Sequence, residues 1–196
     1  MIIGITGYTG AGKSVVANIL EKKGFKILEM RDAVVEEMKK QHKEITSQSL
    51  REFSTKLRQA RGNDIVARLT YAKIKKLKGK NIAITGMRST YEEAYFKSKI
   101  DNFVIIAVVA PEKLRFERIR KRNKPDDPKT LAEFKSIEEK ELNGFSGKRD
   151  PRHGLKMLVE HADFLIFNTG TMSDLRKDVF SVIDFLSKTQ RNRLRR

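Results

Sequence analysis

The chain of 196 residues contains no cysteine. Disulfides, thiolate catalysis and cysteine-ligated zinc are therefore excluded, and we expect a protein of the reducing cytoplasm. Long apolar runs are also missing. The apolar segment Met1–Ile5 is far shorter than a membrane span, and no positively charged segment precedes it. We therefore expect no membrane partner, and we interpret this segment as a buried first strand.

Acidic residues are scarce relative to basic ones, and the formal net charge is +17. Such a field attracts polyanions: nucleoside phosphates, coenzyme A-like molecules, RNA or anionic lipid. A lysine-rich solvated surface, as in heat-adapted proteins, is an equal alternative. The three histidines, His42, His153 and His161, lack the spacing of a metal site. Hydrophobic residues make up 39% of the chain and charged residues 34%, which is typical of a globular protein.

Apolar runs and amphipathic segments alternate along the chain. The predicted strands are Ile2–Thr6, Phe25–Met30, Asn81–Thr85, Phe103–Val109 and Phe164–Phe167. This order predicts an α/β fold in three layers, with a five-stranded, mostly parallel sheet flanked by helices. Ligands of such sheets bind beyond the carboxyl ends of the strands.

Helix boundaries follow from capping and breaking residues. Asp32 is a candidate start for the helix after the second strand, and Gly62-Asn63 interrupts a helical stretch from Thr46 to Leu77. Ser89-x-x-Glu92 and Thr130-x-x-Glu133 are predicted capping boxes. The segments 123–129 and 143–154 are predicted loops, the second of them mobile. A basic tail, residues 188–196, follows the last apolar stripe.

The segment after the first strand matches the P-loop pattern in full. Its glycines let the backbone wrap around phosphate oxygens, and the following helix presents its positive end to them. Lys13 would reach the β- and γ-phosphates, and the Ser14 hydroxyl would bind Mg²⁺. We therefore expect ATP and Mg²⁺ as cofactors. The predicted cofactor-binding residues of the loop are Gly7, Tyr8, Thr9, Gly10, Ala11, Gly12, Lys13 and Ser14.

Two classes of nucleotide-binding protein are disfavoured. The segment Asn168-Thr169-Gly170-Thr171 lacks the lysine and aspartate of the guanine-reading signature, which argues against a GTPase switch. The chain is also too short for an AAA+ or transporter ATPase module with its usual accessory parts.

The sequence resembles the P-loop small-molecule kinases, above all dephospho-CoA kinase and an archaeal adenylate-kinase-related family. The resemblance runs from Met1 to about Leu186. It implies a nucleoside-monophosphate-kinase-like P-loop domain over residues 1–187, with an acceptor-binding helical region at about 31–80 and a lid at about 111–154. The segments on which the resemblance rests are Ile3–Ser14, Lys26–Asp32, Leu57–Asn63, Gly86–Arg88, Arg115–Arg118 with Arg122, and Ala162–Gly170.

The resemblance implies roles on the acceptor side. Asp32 matches an acidic residue that faces the acceptor hydroxyl and takes its proton late in the transfer. Arg58 and Arg88 match residues that bind the phosphate of the acceptor, for which a planar guanidinium is well suited. The alternatives are a helix N-cap for Asp32 and plain surface cations for the two arginines.

A lid is implied by Arg115, Arg118 and Arg122, which share one helix face. Arg118 and Arg122 would stabilise charge on the transferring phosphoryl group. Together with Lys13, which contacts the phosphates, and Asp32, the proposed base, they are the predicted catalytic residues. The alternative is a solvated helix face helped by Glu112 and Glu117. In the lid interpretation, Asp126 and Asp127 of the adjacent loop would pair with these arginines when the lid is open. Asn168 and Gly170 are expected beside the adenine, with a simple turn into the last helix as the alternative.

One departure leaves the reaction open. Many P-loop proteins carry an acid at the end of the third strand to hold Mg²⁺ through water, whereas this chain has Thr85. The favoured function is a kinase that transfers the γ-phosphoryl group of ATP to a small phosphorylated acceptor, either dephospho-CoA-like or a nucleoside monophosphate. The alternatives are an RNA- or ribonucleoprotein-associated ATPase switch, with weak RNA binding through the basic surface and tail, and a nucleotide-binding pseudoenzyme.

Overall fold

The structure, a computed structural model, describes residues 1–77, 79–143 and 154–193. The strands are β1 (Ile2–Gly7), β2 (Lys26–Glu29), β3 (Ile82–Thr85), β4 (Val104–Val109) and β5 (Phe164–Phe167). The helices are α1 (Lys13–Lys22), α2 (Met30–Lys40), α3 (Ser47–Arg61), α4 (Ile65–Ile74), α5 (Thr90–Lys99), α6 (Glu112–Arg122), α7 (Leu131–Asn143), α8 (Leu155–Glu160) and α9 (Met172–Arg193).

The five strands form one sheet in the order β2-β3-β1-β4-β5. Every pairing is parallel, so the carboxyl ends of all five strands lie at one edge. The order of the strands reverses at β1, and the adjacent crevice is where open α/β sheets bind ligands. The predicted α/β fold with a parallel sheet is therefore confirmed.

Alternate residues of the buried strands supply two separate cores. In β4, Ile105 and Ala107 pack on the side of α2, α4 and α5, whereas Ile106 and Val108 pack on the side of α1 and α9. This continuous apolar run, most of it β-branched, is buried on both faces, as is typical of a central parallel strand. Helices thus cover both sides of the sheet and give the three predicted layers.

The start of α2 differs from the prediction. The helix begins at Met30, and Glu29 is its N-cap residue with an extended backbone. Asp32 therefore lies inside the first turn rather than at the N-cap. Met30, the last residue of the predicted strand, is buried in the core as the first residue of the helix. A carboxylate in the first turn still interacts favourably with the helix dipole.

Two further elements differ from expectation. Helix α8 has no sequence-based counterpart, because its six residues are too few to show a helical period. Helix α9 continues to Arg193 and so includes residues 188–193 of the segment interpreted as a tail. Most of the loop predicted over 143–154 lies outside the described residues. Within residues 1–77, 79–143 and 154–193, no helix is long and apolar enough to cross a membrane.

One of the two capping boxes is complete. The Thr130 hydroxyl accepts from the Glu133 amide at 3.2 Å, and the Glu133 carboxylate accepts from the Thr130 amide at 3.4 Å. At the start of α5, the Ser89 hydroxyl accepts from the Glu92 amide at 3.4 Å. The Glu92 carboxylate instead accepts from the Arg88 amide at 2.8 Å, so the second box is only half formed.

Candidate functional site

The loop between β1 and α1 has a backbone that side chains would not tolerate. Gly12 is the N-cap of α1 in a left-handed conformation, with φ 105°. A Cβ atom there would lie 2.2 Å from the Asn168 amide nitrogen. Gly10 has φ 80°, and a Cβ atom there would lie 2.6 Å from the Arg115 carbonyl oxygen. Glycine is therefore required at both positions by backbone conformation and by close packing.

Amides of this loop are available for an anion. The Ala11 amide closes a turn by donating to the Tyr8 carbonyl at 3.1 Å. The amides of Gly12 and Ser14 donate to no acceptor in the part of the chain that the structure describes. They lie at the N-terminus of α1, where the helix dipole is positive and no earlier turn provides acceptors. Such an arrangement is suited to binding a phosphate group.

The side chain of Lys13 folds back onto its own loop. Its ammonium donates to the Gly7 carbonyl at 2.8 Å and to the Tyr8 carbonyl at 2.9 Å. The cation is thus held at the mouth of β1, where both acceptors are neutral carbonyls that an anionic oxygen could replace.

Arg115 contacts the backbone of the loop between β1 and α1 from the protein interior and is buried. Arg115 as a whole is 5% exposed, and its guanidinium forms a bidentate ion pair with the Glu138 carboxylate. It also donates to the Thr9 carbonyl at 3.2 Å and to the Ala110 carbonyl at 2.9 Å. The rings of Tyr8 and Phe134 lie 5.1 and 5.4 Å from the guanidinium carbon. Arg115 therefore does not lie on an exposed face of α6, because its charge is neutralised by Glu138 inside the protein.

Arg118 joins the phosphate loop to the segment after β5. It donates to the Asn168 carbonyl at 2.9 Å and to the Asn168 side-chain oxygen at 3.3 Å. The Asn168 side-chain amide, in turn, donates to the Ala11 carbonyl at 2.8 Å. Asn168 and Arg118 thus lie beside the loop, where both donate to the Ala11 carbonyl. Contact of Asn168 with the adenine stays a prediction.

Arg122, one turn further along α6, is held by an acid. Its guanidinium donates twice to the Asp127 carboxylate, at 3.0 and 2.5 Å. Hydrogen bonding from Arg122 holds the pKa of Asp127 below its ordinary value. A carboxyl with a lowered folded-state pKa stabilises the fold above its ordinary pKa, and this contribution is lost as the pH falls through the lowered value.

The predicted pairing of α6 arginines with the adjacent acids holds for one of the two acids. Asp127 pairs with Arg122, whereas Asp126 accepts a hydrogen bond from the Ser47 hydroxyl at 2.5 Å. Ser47 is the first residue of α3, so this contact connects the expected acceptor-binding region with the expected lid.

A fully buried carboxylate organises the acceptor side. Glu92 is 0% exposed, and its two oxygens accept from the Arg58 guanidinium at 3.0 Å and from the Arg88 amide at 2.8 Å. The sequence indicated Glu92 only as a capping residue. Arg58 is therefore ion-paired rather than a free surface cation, although 28% of its side chain remains accessible. Arg88, in the loop after β3, is exposed.

The start of α2 lies next to the loop after β3, and that loop in turn contacts the end of β1. A Cβ atom on Gly86 would be 3.7 Å from Met30, and the Thr6 hydroxyl donates to the Met87 carbonyl at 3.2 Å. Asp32 is exposed in the first turn of α2, and its carboxylate has no hydrogen bond or ion pair with the described residues. The accessible Asp32 carboxylate thus follows β2, and the loop that carries Arg88 follows β3, the neighbouring strand in the sheet.

Metal ligands are few at this edge of the sheet. Among residues 1–77, 79–143 and 154–193, no cluster of three or more histidine or acidic residues could hold a metal ion. Thr85 is buried at the end of β3, and its register partner in β2 is the exposed Glu29. The Ser14 hydroxyl is exposed at the start of α1. These residues fit a metal that takes most of its ligands from phosphate and water, as Mg²⁺ does.

Comparison with known proteins identifies the family. Residues 3–143 match the sequence model of the AAA domain. A UPF0200 protein of Thermococcus kodakarensis is 34% identical over 188 residues, which cover 94% of this chain and 97% of that protein. The chain belongs to the UPF0200 family and contains the AAA domain. The domain match spans β1 to α7.

Solved kinases share the fold of this UPF0200 chain. The shikimate kinase of Aquifex aeolicus superposes with a TM-score of 0.52 at 15% identity, covering 95% of this chain and 98% of that one. A gluconokinase of Sinorhizobium meliloti gives a TM-score of 0.54 at 14% identity, covering 97% and 95%. The likeness establishes the P-loop kinase fold.

The buried pair of Arg115 and Glu138 yields a stability prediction. In Glu138→Ala the guanidinium is left buried without a counter-ion, and we expect the free energy of unfolding to fall by about 3–5 kcal/mol. Glu139→Ala removes the same side chain from the exposed neighbouring position and should change it by less than about 0.5 kcal/mol. Urea unfolding measures both. Equal effects of the two substitutions would contradict a supporting role for the pair.

Proposed function

We propose that this protein is a kinase that transfers the γ-phosphoryl group of ATP to a hydroxyl of a small phosphorylated acceptor. The observation that carries the proposal is the placement of two chemically different groups at one edge of the sheet. The P-loop lies at the end of β1, and the accessible Asp32 carboxylate lies beyond β2, with the loop that carries Arg88 at the end of β3 between them.

The phosphate side would bind the triphosphate of ATP. The Gly12 and Ser14 amides would donate to phosphate oxygens, and the Lys13 ammonium would exchange a loop carbonyl for a β- or γ-phosphate oxygen. Because anionic acceptors form shorter and stronger hydrogen bonds than carbonyls, this exchange is favourable. Ser14 would hold Mg²⁺, which neutralises part of the charge that develops on the phosphoryl group.

The acceptor side favours a hydroxyl nucleophile. In the transfer, the bond between the acceptor oxygen and the γ-phosphorus forms while the bond to the bridging oxygen of ADP breaks. The proton of the acceptor hydroxyl passes to the Asp32 carboxylate. A nucleoside monophosphate needs no such base, because its accepting phosphate oxygen is already ionised. Asp32 therefore supports a dephospho-CoA-like acceptor, whose own phosphate would meet Arg88 and the accessible part of Arg58.

A second candidate is an ATP-dependent switch that acts on RNA or a ribonucleoprotein. The net charge of +17 favours it, since such a field strengthens binding to any polyanion. A nucleotide-binding protein without turnover is a third candidate, supported by Thr85 in place of an acid. The same fold is compatible with all three, because function depends on the site and not on the fold.

The amount of ADP formed with each candidate partner separates these functions. We expect dephospho-CoA to stimulate ADP formation more than about tenfold over ATP alone, with AMP as the competing acceptor and RNA as a third addition. Stimulation by RNA alone would favour the switch. Intact ATP after a single-turnover incubation with Mg²⁺ would favour the third candidate.

Asp32→Asn tests the proposed base directly. We expect kcat to fall about 100-fold or more with KM nearly unchanged, because the carboxylate acts on the proton and not on binding. Glu36→Gln removes the same charge from an exposed position one turn later in α2 and is the matched control. Equal kcat values for the two variants would contradict the proton-accepting role.

Asp127 is expected to restrain Arg122 in the absence of nucleotide. If Arg122 binds the triphosphate, Asp127→Asn releases Arg122 from its ion pair. Binding of Mg²⁺-ATP should then tighten about two- to fivefold, which corresponds to the free energy of a half-exposed ion pair. Asp126→Asn removes the same charge from the neighbouring residue, which accepts from Ser47 and from no arginine in the described part of the chain. Calorimetric dissociation constants that change equally in both variants would show a general charge effect and contradict the specific restraint.

A further inference from the structure

We infer that Asn168 is a positioning residue of the phosphate site, which acts through the Ala11 carbonyl on the Gly12 amide and does not read the adenine. The inference rests on the proposed binding of a triphosphate. The place of Asn168 after β5 suggests contact with the adenine, whereas the inferred role is to orient the loop. Arg118 is the partner that fixes the orientation of the Asn168 side chain.

The first step concerns the peptide unit between Ala11 and Gly12. A trans peptide is planar, so its C=O and N–H groups point in opposite directions. The Ala11 carbonyl accepts from the Asn168 side-chain amide at 2.8 Å and more weakly from Arg118 at 3.4 Å. The Gly12 N–H therefore points away from the segment after β5. It has no acceptor among the described residues, which leaves it as a donor for a phosphate oxygen.

The second step concerns the orientation of the Asn168 amide. Its side-chain oxygen accepts from Arg118 at 3.3 Å, and its side-chain nitrogen donates to Ala11. An amide turned by half a revolution would place two donors face to face and two acceptors face to face. Arg118 also donates to the Asn168 carbonyl at 2.9 Å, so a single cation fixes both the backbone and the side chain of Asn168.

Burial and packing make this arrangement demanding. Asn168 is 7% exposed, and its side-chain nitrogen approaches Gly12 so closely that any Cβ atom there would collide with it. Without Asn168 the buried Ala11 carbonyl would keep only the long contact from Arg118. The peptide could then rotate, and the Gly12 amide would no longer be held toward the phosphate. Each polar group of the Asn168 side chain makes a hydrogen bond within the protein, and because the residue is 7% exposed, little of its remaining hydrogen-bonding capacity is accessible to a base.

Inorganic tripolyphosphate separates the two roles, because it carries the phosphates of ATP without the adenine. We would measure the dissociation constants of tripolyphosphate and ATP, each with Mg²⁺, by calorimetry for the unmodified protein, Asn168→Ala and Asn168→Asp. The aspartate variant preserves the volume and the acceptor for Arg118 but removes the donor to Ala11. Asn81→Ala is the matched control, because Asn81 binds the amino terminus at the opposite edge of the sheet.

A positioning role predicts that both ligands weaken by the same factor. We expect at least about tenfold for each Asn168 variant, as a buried carbonyl loses its donor, and no change for Asn81→Ala. Thermal unfolding verifies that the variants are folded, and Asn168→Asp decides the matter if the alanine variant does not fold. Weaker ATP binding with unchanged tripolyphosphate binding would overturn the inference in favour of adenine reading. If the unmodified protein binds neither ligand, the proposed function itself fails, and the inference fails with it.

Discussion

The orientation of a few backbone amides after β1 is the constraint on which the rest of this structure depends. An amide can bind phosphate only if its N–H is turned away from the protein's own carbonyls, and a left-handed backbone at Gly10 and Gly12 makes that possible. Arg115 holds the carbonyl of Thr9, and Asn168 holds that of Ala11. The loop therefore depends on α6, α7 and the segment after β5, which fix its carbonyls from the outside.

Ionic partners inside the protein distinguish supporting cations from those available to a substrate. Arg115 is neutralised by Glu138 in the interior, and Arg58 by the buried Glu92. Replacing a neutral carbonyl around Lys13 costs less than separating such a buried pair. Arg122 is intermediate, because its pair with Asp127 is half exposed. A positive net charge thus indicates little about where an anion binds, because arginines that are paired with internal carboxylates are not available to it.

The sequence was sufficient for the features that depend on local spacing. The P-loop, the five strands and the capping box at Thr130 follow from short patterns, and the structure agrees with them. Long-range pairings have no such pattern. Glu138 and Arg115 meet only because α7 packs against α6, and Glu92 resembles a capping residue until α3 brings Arg58 to it. The position of Asp32 in the first turn also depended on the packing of Met30, which apolar periodicity could not distinguish from a strand end.

The dissociation constant of Mg²⁺-ATP for Lys13→Ala, compared with that for Lys22→Ala, tests the central claim most directly. Both lysines belong to α1, but Lys13 contacts the carbonyls at the mouth of β1, whereas Lys22 is exposed in the last turn. The account predicts that ATP binding weakens at least about 100-fold in Lys13→Ala, since a charge-assisted contact to the phosphates is lost, and stays unchanged in Lys22→Ala. Equal affinities of the two variants would contradict it.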